Sequence, residues 1–241
     1  NWLAGQWQAW FDAVSRMISR IPIIPLMGNH ETYDQNWKVR LPEAYLHYFD
    51  VPENHSERFS GYYYSFDYGM VHFIVLNSQW DETNAFKQGL LAEQCEWLQE
   101  DAHQSAAKWK VVLIHKDVLQ YRNHKHPERQ EGISAVGEAL MPLFDQLGID
   151  IVFTAHLHTY RNRGHIYNNR PSEKRGPLYL LTGVAGNVRY PGLWIDHAYD
   201  RVTAPQPETD NYLTMAVTSD QLSITCYLPD GTVIDHVQVN K

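Results

Sequence analysis

Residues 149–158 read Ile-Asp-Ile-Val-Phe-Thr-Ala-His-Leu-His, so an apolar run leads directly into two histidines. The run Ile149–Thr154 is typical of a buried strand. Two other apolar runs end in the same way: Ile23–Met27 leads into Gly-Asn-His-Glu at positions 28–31, and Trp109–Ile114 leads into His115. Because ligands bind beyond the carboxyl ends of strands in open α/β sheets, we expect these polar residues to meet at one sheet edge.

Helix and strand patterns alternate around these three runs. Apolar residues spaced by three, four and seven predict an amphipathic first helix; they are Leu3, Trp7, Trp10, Phe11, Val14, Met17, Ile18 and Ile21. Further helices are predicted at about 90–103 and 134–147, paired strands at 62–66 and 71–76, a strand at 178–182, and an antiparallel meander over 212–239. This order predicts one mixed α/β domain over residues 1–241, with β-sheets flanked by helices and the loop 187–211 as a lid or rim.

Composition narrows the functional classes. The 241 residues are 44% apolar and 20% charged, which argues against a disordered chain, and no apolar run is long enough to span a bilayer. The formal charge of −8 argues against a nucleic-acid partner. The two cysteines, Cys95 and Cys226, exclude a disulfide scaffold; one bridge is possible, but we expect two free thiols.

The residues at the three strand ends suggest a metal site. Asn29, His115, His156 and His158 carry donor atoms that suit Zn, Mn, Fe, Co or Ni. His156 and His158 are two residues apart, which in extended backbone puts both rings on one side. A single histidine at a strand end is usually a hydrogen-bonded surface residue. The prediction of a metal site therefore depends on three strand ends carrying such residues together.

These residues resemble the last three motifs of the calcineurin-like metallophosphoesterases, in the order Gly28-Asn29-His30-Glu31, the isolated His115, and His156-Leu157-His158. The surrounding sequence is similar to that of the purple acid phosphatase branch in three stretches, Glu96–Leu98, Leu181–Asn187 and Gly231–Asp235. The resemblance covers essentially the whole chain and implies that family's fold, in which two sheets form a sandwich flanked by helices in α-β-β-α layers.

The resemblance also implies a dinuclear centre that holds two metal ions (Fe, Zn or Mn) and assigns roles to seven residues. The expected metal ligands are Asn29, His115 and His156 on one ion and His158 on the second. His30 would be the catalytic residue that stabilises or protonates the leaving oxygen. His124 and, more weakly, His126 would contact the substrate. For His126, an ordinary solvated loop histidine is an equal alternative.

The chain departs from the family pattern in two places. The family's Asp-x-His and Gly-Asp strands precede the Asn-His motif, whereas only 27 residues precede Gly28, and Asp101-Ala102-His103 comes too late, at the end of a helix. We therefore expect that N-terminal strands are missing and that residues 1–241 are the C-terminal two thirds or more of a catalytic domain. A gap or an unpaired strand edge would then lie beside His158, and the residues expressed alone would be insoluble or inactive. Ala155 replaces the usual glycine before the histidine pair and restricts the backbone there.

The expected function is hydrolysis of phosphate monoesters by a metal-bound hydroxide at the dinuclear centre. Basic residues that include Lys116, Arg161 and Arg163 would attract an anionic substrate, although two ordinary solvated loops would look the same. A phosphodiesterase or nucleotidase, and a non-catalytic metal- or carbohydrate-binding module, are the alternatives. The expected partner is a small phosphate ester, with pocket walls at Tyr121, Tyr190, Trp194 and Tyr199. By resemblance alone, we expect export to the periplasm or the cell exterior.

Overall fold

The computed structural model describes residues 2–186 and 190–241. The side chain of Leu3 and all of Asn187, which belong to predicted features, lie outside what the structure describes. The helices are α1 (Trp2–Ile18), α2 (Glu43–Tyr48), α3 (Trp80–Asn84), α4 (Leu90–Gln104) and α5 (Ala135–Leu147), and a short 3-10 helix spans Asn29–Thr32. The strands are β1 (Tyr64–Tyr68), β2 (Val71–Leu76), β3 (Trp109–Ile114), β4 (Leu119–Gln120), β5 (Gly132–Ile133), β6 (Ile151–Thr154), β7 (Arg161–Tyr167), β8 (Arg170–Ser172), β9 (Leu178–Leu181), β10 (Val202–Thr203), β11 (Tyr212–Val217), β12 (Gln221–Tyr227) and β13 (Val233–Asn240).

A mixed eight-stranded sheet forms the centre of the fold. The strands β2, β3, β6 and β9 are parallel neighbours in that order. Antiparallel strands extend the sheet on both sides, with β1 next to β2, and with β7 and then β10 next to β9. Because β3 and β6 are parallel, their carboxyl ends lie side by side, and Ala155 N donates to His115 O at 2.9 Å there. The expected mixed α/β class is confirmed.

The central sheet lies between the helices and a second, smaller sheet. The strands β11, β12 and β13 form an antiparallel sheet whose Leu222 and Ile224 pack against Trp109 and Val111 of the central sheet. Burial of each such Leu or Ile contributes about 1.5–3 kcal/mol. The indole nitrogen of Trp109 donates to Thr218 O at 2.9 Å and joins the two sheets. The other face of the central sheet packs against residues of the helices, in a second core cluster. The described residues thus show a helical layer and two sheets.

Local signals explain why α5 starts and ends where it does. The hydroxyl of Ser134 accepts a hydrogen bond from Gly137 N at 3.1 Å, which satisfies a free donor of the first turn. Gly148, with φ +63°, ends the helix in the left-handed conformation that glycine adopts without strain. The strand β6 then begins at Ile151, three residues after Gly148.

The predicted strand Ile23–Met27 is wrong, because residues 22–28 form an irregular segment outside the described sheets. Pro22 and Pro25 cannot donate backbone hydrogen bonds to a ladder. The segment is held instead by side chains, since the hydroxyls of Tyr45 and Tyr64 donate to Pro25 O at 3.1 and 2.6 Å. The first helix also ends earlier than predicted, at Ile18.

A second expectation was a gap or an unpaired strand edge beside His158, and the unpaired edge is wrong for the described residues, whereas the missing N-terminal strands stay a prediction. The strand that leads into His156 and His158 is β6, which pairs with β3 on one side and with β9 on the other. Cys95 and Cys226 are both free, which confirms the expectation of free thiols. None of the described helices combines the length and the apolar character needed to cross a membrane.

Candidate metal centre

Asn29 is positioned by a tight turn at the start of the 3-10 helix. The carboxylate of Glu31 accepts a hydrogen bond from Gly28 N at 2.8 Å, and the Thr32 hydroxyl donates to Asn29 O at 2.8 Å. Gly28 leaves space for the neighbouring imidazole, because a Cβ at this position would lie 2.9 Å from Cε1 of His115. The missing side chain of Gly28 therefore lets Asn29 approach the end of β3.

Three donor atoms converge at the carboxyl ends of β3 and β6. Nε2 of His115 lies 2.9 Å from Oδ1 of Asn29, and Nδ1 of His156 lies 3.2 Å from each of these two atoms. Bonds of about 2.1 Å to one ion would place neighbouring ligand atoms about 3.0–3.4 Å apart in octahedral or tetrahedral geometry. The spacing of the three atoms therefore fits one face of a transition-metal site. Their role as ligands stays a prediction.

The electrostatic environment keeps these imidazoles neutral, as metal ligands must be. Burial, followed by the nearby His156 and His30, lowers the pKa of His115 to about 3. Burial and the positive charge of Lys116 also lower the pKa of His156. Burial raises the pKa of Glu31, although the hydrogen bond from Gly28 opposes that shift. Near neutral pH the lone pairs of His115 and His156 are therefore available to bind a cation.

The backbone around the histidine pair is not extended. The prediction that an extended backbone places the rings of His156 and His158 on the same side is therefore wrong. His156 and His158 both have positive φ, at +76° and +55°. Leu157 N donates to Ala155 O at 2.9 Å, and with the positive φ of His156 this forms a tight three-residue turn of a strained kind. Strain of this sort costs about 1–3 kcal/mol and is found at functional sites. The turn aims His156 at Asn29 and His115.

His158 and His30 lie beside the three converging residues. The ring of His158 stacks on Tyr190 with a centroid distance of 5.3 Å, and its charge also lowers the pKa of His115 and His156. His30 is exposed, and its ring centroid lies 5.3 Å from that of Trp37. It lines a cavity of about 490 Å³ between α1 and the segment 30–45. The roles of His158 and His30 stay predictions.

His124 and His126 lie in an exposed loop. His124 N donates to Leu193 O at 3.0 Å, and the ring of His126 lies 3.3 Å from the carboxylate of Glu128. In the part of the chain that the structure describes, neither ring forms a hydrogen bond with Asn29, His115 or His156. Their contact with substrate stays a prediction.

Two ion pairs beside the site could not be inferred from the sequence. The ammonium group of Lys116 lies 2.8 and 2.9 Å from the two carboxylate oxygens of Glu82. Arg163 is fully buried and pairs with the buried Asp117. Arg161 and Arg163 were expected to present charge to an anionic substrate, and this is wrong because both are buried and bound by acidic partners. Lys116 is paired with Glu82, but its charge still acts on His156. Only the tertiary structure shows these partners.

Among residues 2–186 and 190–241, no group of three or more His, Cys, Asp or Glu side chains is arranged to hold a metal ion. The convergent set is different, because its third donor is an amide oxygen from Asn29. Of the four aromatic residues expected as pocket walls, Tyr190 and Trp194 line a cavity of about 120 Å³ beside His158. Tyr121 is instead buried, and Tyr199 packs at the edge of the core.

Comparisons with known proteins agree with this architecture. The sequence model of the calcineurin-like phosphoesterases matches residues 4–160. In Arabidopsis thaliana, purple acid phosphatase 15 is 31% identical over 209 residues, or 85% of this chain and 36% of that protein. Purple acid phosphatase 23 of the same plant is 32% identical over 186 residues, or 76% of this chain and 38% of that protein.

One solved structure shows the same fold. The purple acid phosphatase PPD1, isolated from yellow lupin (Lupinus luteus) seeds, matches with a TM-score of 0.68 and 19% identity. The match covers 91% of this chain and 41% of the lupin chain. This chain therefore spans less than half the length of each of these three proteins.

Proposed function

The chain belongs to the calcineurin-like phosphoesterase family, and from that membership we propose that it is a metal-dependent phosphoesterase that hydrolyses phosphate monoesters. The observation that carries the proposal is the convergence of Asn29 Oδ1, His115 Nε2 and His156 Nδ1 within 3.2 Å of one another. An amide oxygen and two neutral imidazoles are the ligands that Zn, Mn and Fe accept.

In this proposal the three residues hold one ion of a dinuclear centre. His158, two residues after His156, contributes to the second ion. When bound, such ions polarise phosphoryl oxygens and lower the pKa of water, so that a nucleophile is present near neutral pH. The low pKa of His115 keeps its ring from competing for a proton while it serves as a ligand.

His30 has a different role, as the group that handles the proton of the leaving alcohol. Its ring is exposed at the mouth of the larger cavity and is close enough for its charge to act on both His115 and His156. A protonated ring nitrogen of His30 would donate to the leaving oxygen as its bond to phosphorus breaks. The Trp37 ring lies beside this imidazole, with a centroid distance of 5.3 Å.

Three alanine variants of the full-length protein test the division between ligand and acid. His156→Ala should lower bound metal and the hydrolysis of p-nitrophenyl phosphate together. His30→Ala should lower kcat about 10²–10⁴-fold, the usual contribution of a positioned acid or base, while metal content stays at the wild-type level. His55→Ala is the matched control, since His55 also has a positive φ, at +58°, but its side chain is 87% exposed.

Elemental analysis and steady-state rates distinguish the outcomes. Equal metal loss in His156→Ala and His30→Ala would contradict the assigned roles. Faster hydrolysis of bis(p-nitrophenyl) phosphate than of the monoester would show a phosphodiesterase. Stoichiometric metal without hydrolysis of either compound would show a non-catalytic metal-binding module. The same elemental analysis identifies the metal among Fe, Zn and Mn.

The cellular setting of the proposed activity follows from the same family membership. We infer that the substrate is a small phosphate ester and that the protein acts outside the cytoplasm, as an exported phosphatase. Fractionation of the source cells, with immunodetection of the protein, tests the second point.

A further inference from the structure

We propose that the 120 Å³ cavity beside His158 binds the alcohol part of the substrate ester and selects a neutral, hydroxyl-rich group such as a sugar or polyol. The inference rests on the proposed phosphoesterase function, because it assigns the part of the substrate that lies beyond the phosphoryl group. Its volume is about a quarter of the 490 Å³ of the cavity that His30 lines, which favours a small alcohol over a bulky one such as a nucleoside.

The cavity adjoins the candidate metal centre. His158 forms part of its wall, and Tyr190 stacks on the His158 ring. The opposite aromatic wall, Trp194, donates its indole N–H to Leu157 O at 2.8 Å. Leu157 lies between His156 and His158, so this hydrogen bond connects Trp194 to the segment that carries both histidines. An ester substituent that extends past His158, while its leaving oxygen still faces His30, would enter this cavity.

The lining combines aromatic faces with hydrogen-bonding groups. Tyr190 and Trp194 supply apolar surface, and the polar groups come from Thr159, Thr203, Gln206, Asp196 and Glu208. Carboxylates and amides accept hydrogen bonds from hydroxyl groups, and aromatic rings pack on the C–H face of a sugar ring. The lining is therefore mostly polar, which suits a hydroxyl-rich group better than a hydrocarbon.

The charges in the cavity disfavour a second anionic group on the substrate. The guanidinium of Arg161 lies 2.5 Å from Asp196 and 2.7 Å from Asp200, so two carboxylates already neutralise it. Glu208 is buried, and its carboxylate accepts hydrogen bonds from Tyr160 N and from the Asn211 side chain. Like charges in a shared site repel. A diphosphate or a carboxylate-bearing alcohol would therefore bind poorly.

A chain of hydrogen bonds connects Arg161, in the wall of the cavity, to the end of β6 through Asp200. Asp200 accepts from the Tyr121 hydroxyl at 2.5 Å, and Tyr121 accepts in turn from Arg163 Nε at 3.0 Å. Arg163 pairs with Asp117, which also accepts from Thr154 at the end of β6. The wall is thus ordered before any substrate binds, which reduces the entropy cost of binding.

Asp196 is the residue through which the selection can be tested. Its side chain is 71% exposed, so it can accept hydrogen bonds from a substrate in addition to the one from Arg161. Asp196→Ala should lower the ratio of kcat/KM for glucose 6-phosphate to that for p-nitrophenyl phosphate about tenfold or more. Asp220→Ala is the matched control, because Asp220 is an 80% exposed carboxylate paired with Lys108 at 3.6 Å, and it should leave the ratio unchanged.

A binding measurement separates failure of this inference from failure of the proposed function. Isothermal titration with a non-hydrolysable phosphonate analogue of glucose 6-phosphate should show wild-type binding that weakens about tenfold in Asp196→Ala. Binding of this kind without hydrolysis would uphold the cavity assignment and refute the phosphoesterase. Hydrolysis with an unchanged ratio in Asp196→Ala would refute the cavity assignment alone. A wild-type protein that hydrolyses ATP faster than glucose 6-phosphate would also overturn it.

Discussion

A methyl group added at Gly28 should weaken metal binding without unfolding the protein. Gly28 has φ −105°, a value that alanine adopts readily, so Gly28→Ala changes the space and not the backbone preference. The added Cβ would lie 2.9 Å from Cε1 and 3.1 Å from Nδ1 of His115. Ordinary contacts between carbon atoms are about 3.5–4.0 Å, so the imidazole must move by about 0.6 Å or more.

That movement is large for a metal ligand. Ligand distances at metal sites hold to about ±0.2 Å, so a displaced His115 loses its alignment with Asn29 and His156. Changes to groups that orient a ligand lower metal affinity about 10–100-fold, and we expect a loss in this range. Overpacking should also cost about 1–3 kcal/mol of folding free energy.

Competition with a fluorescent chelator for Zn²⁺, together with urea unfolding, measures both effects. Gly132→Ala is the control, since a Cβ at Gly132 meets no atom within 4 Å. Wild-type metal affinity in Gly28→Ala would refute the steric argument. Equal losses in the two variants would show that the effect is not specific to the contact with His115.

Two further predictions concern stability. His72 is buried, and although burial lowers its pKa, the hydrogen bonds and charges of Asp101 and Asp67 outweigh that effect and raise it. The difference in the free energy of unfolding between wild type and His72→Gln should therefore be largest below about pH 6.5. It should fall as the pH rises through the raised pKa of His72 in the folded state. A difference that does not depend on pH would contradict this prediction. Arg163→Met should cost about 3–5 kcal/mol in urea unfolding, because it leaves the buried Asp117 without a partner, and the added change Asp117→Asn should restore part of that loss. No recovery in the double variant would show that packing, and not the buried charge, accounts for the cost.

The sequence predicted the fold class and the main elements because their signals are local. The alternation around β3 and β6 marks buried strands, and Ser134 and Gly148 mark the ends of α5. The apolar run Ile23–Met27 carried the same signal but forms no strand, because two prolines remove donors and tyrosine side chains hold the segment instead. The pattern of apolar residues indicates which segments can be buried. It does not indicate whether a neighbouring strand is present to form hydrogen bonds with them.

For the candidate site, the sequence by itself determined which residue types stand at the strand ends. Asn29, His115 and His156 could be named because chain order and strand polarity bring carboxyl ends together. Only the tertiary structure decided that their donor atoms meet within 3.2 Å and that strained positive-φ turns aim the histidines. It also decided that Arg163 is an internal ion-pair partner and not a substrate attractor. The physical reason is that charge pairing and close contact depend on residues far apart in the chain, which no local pattern encodes.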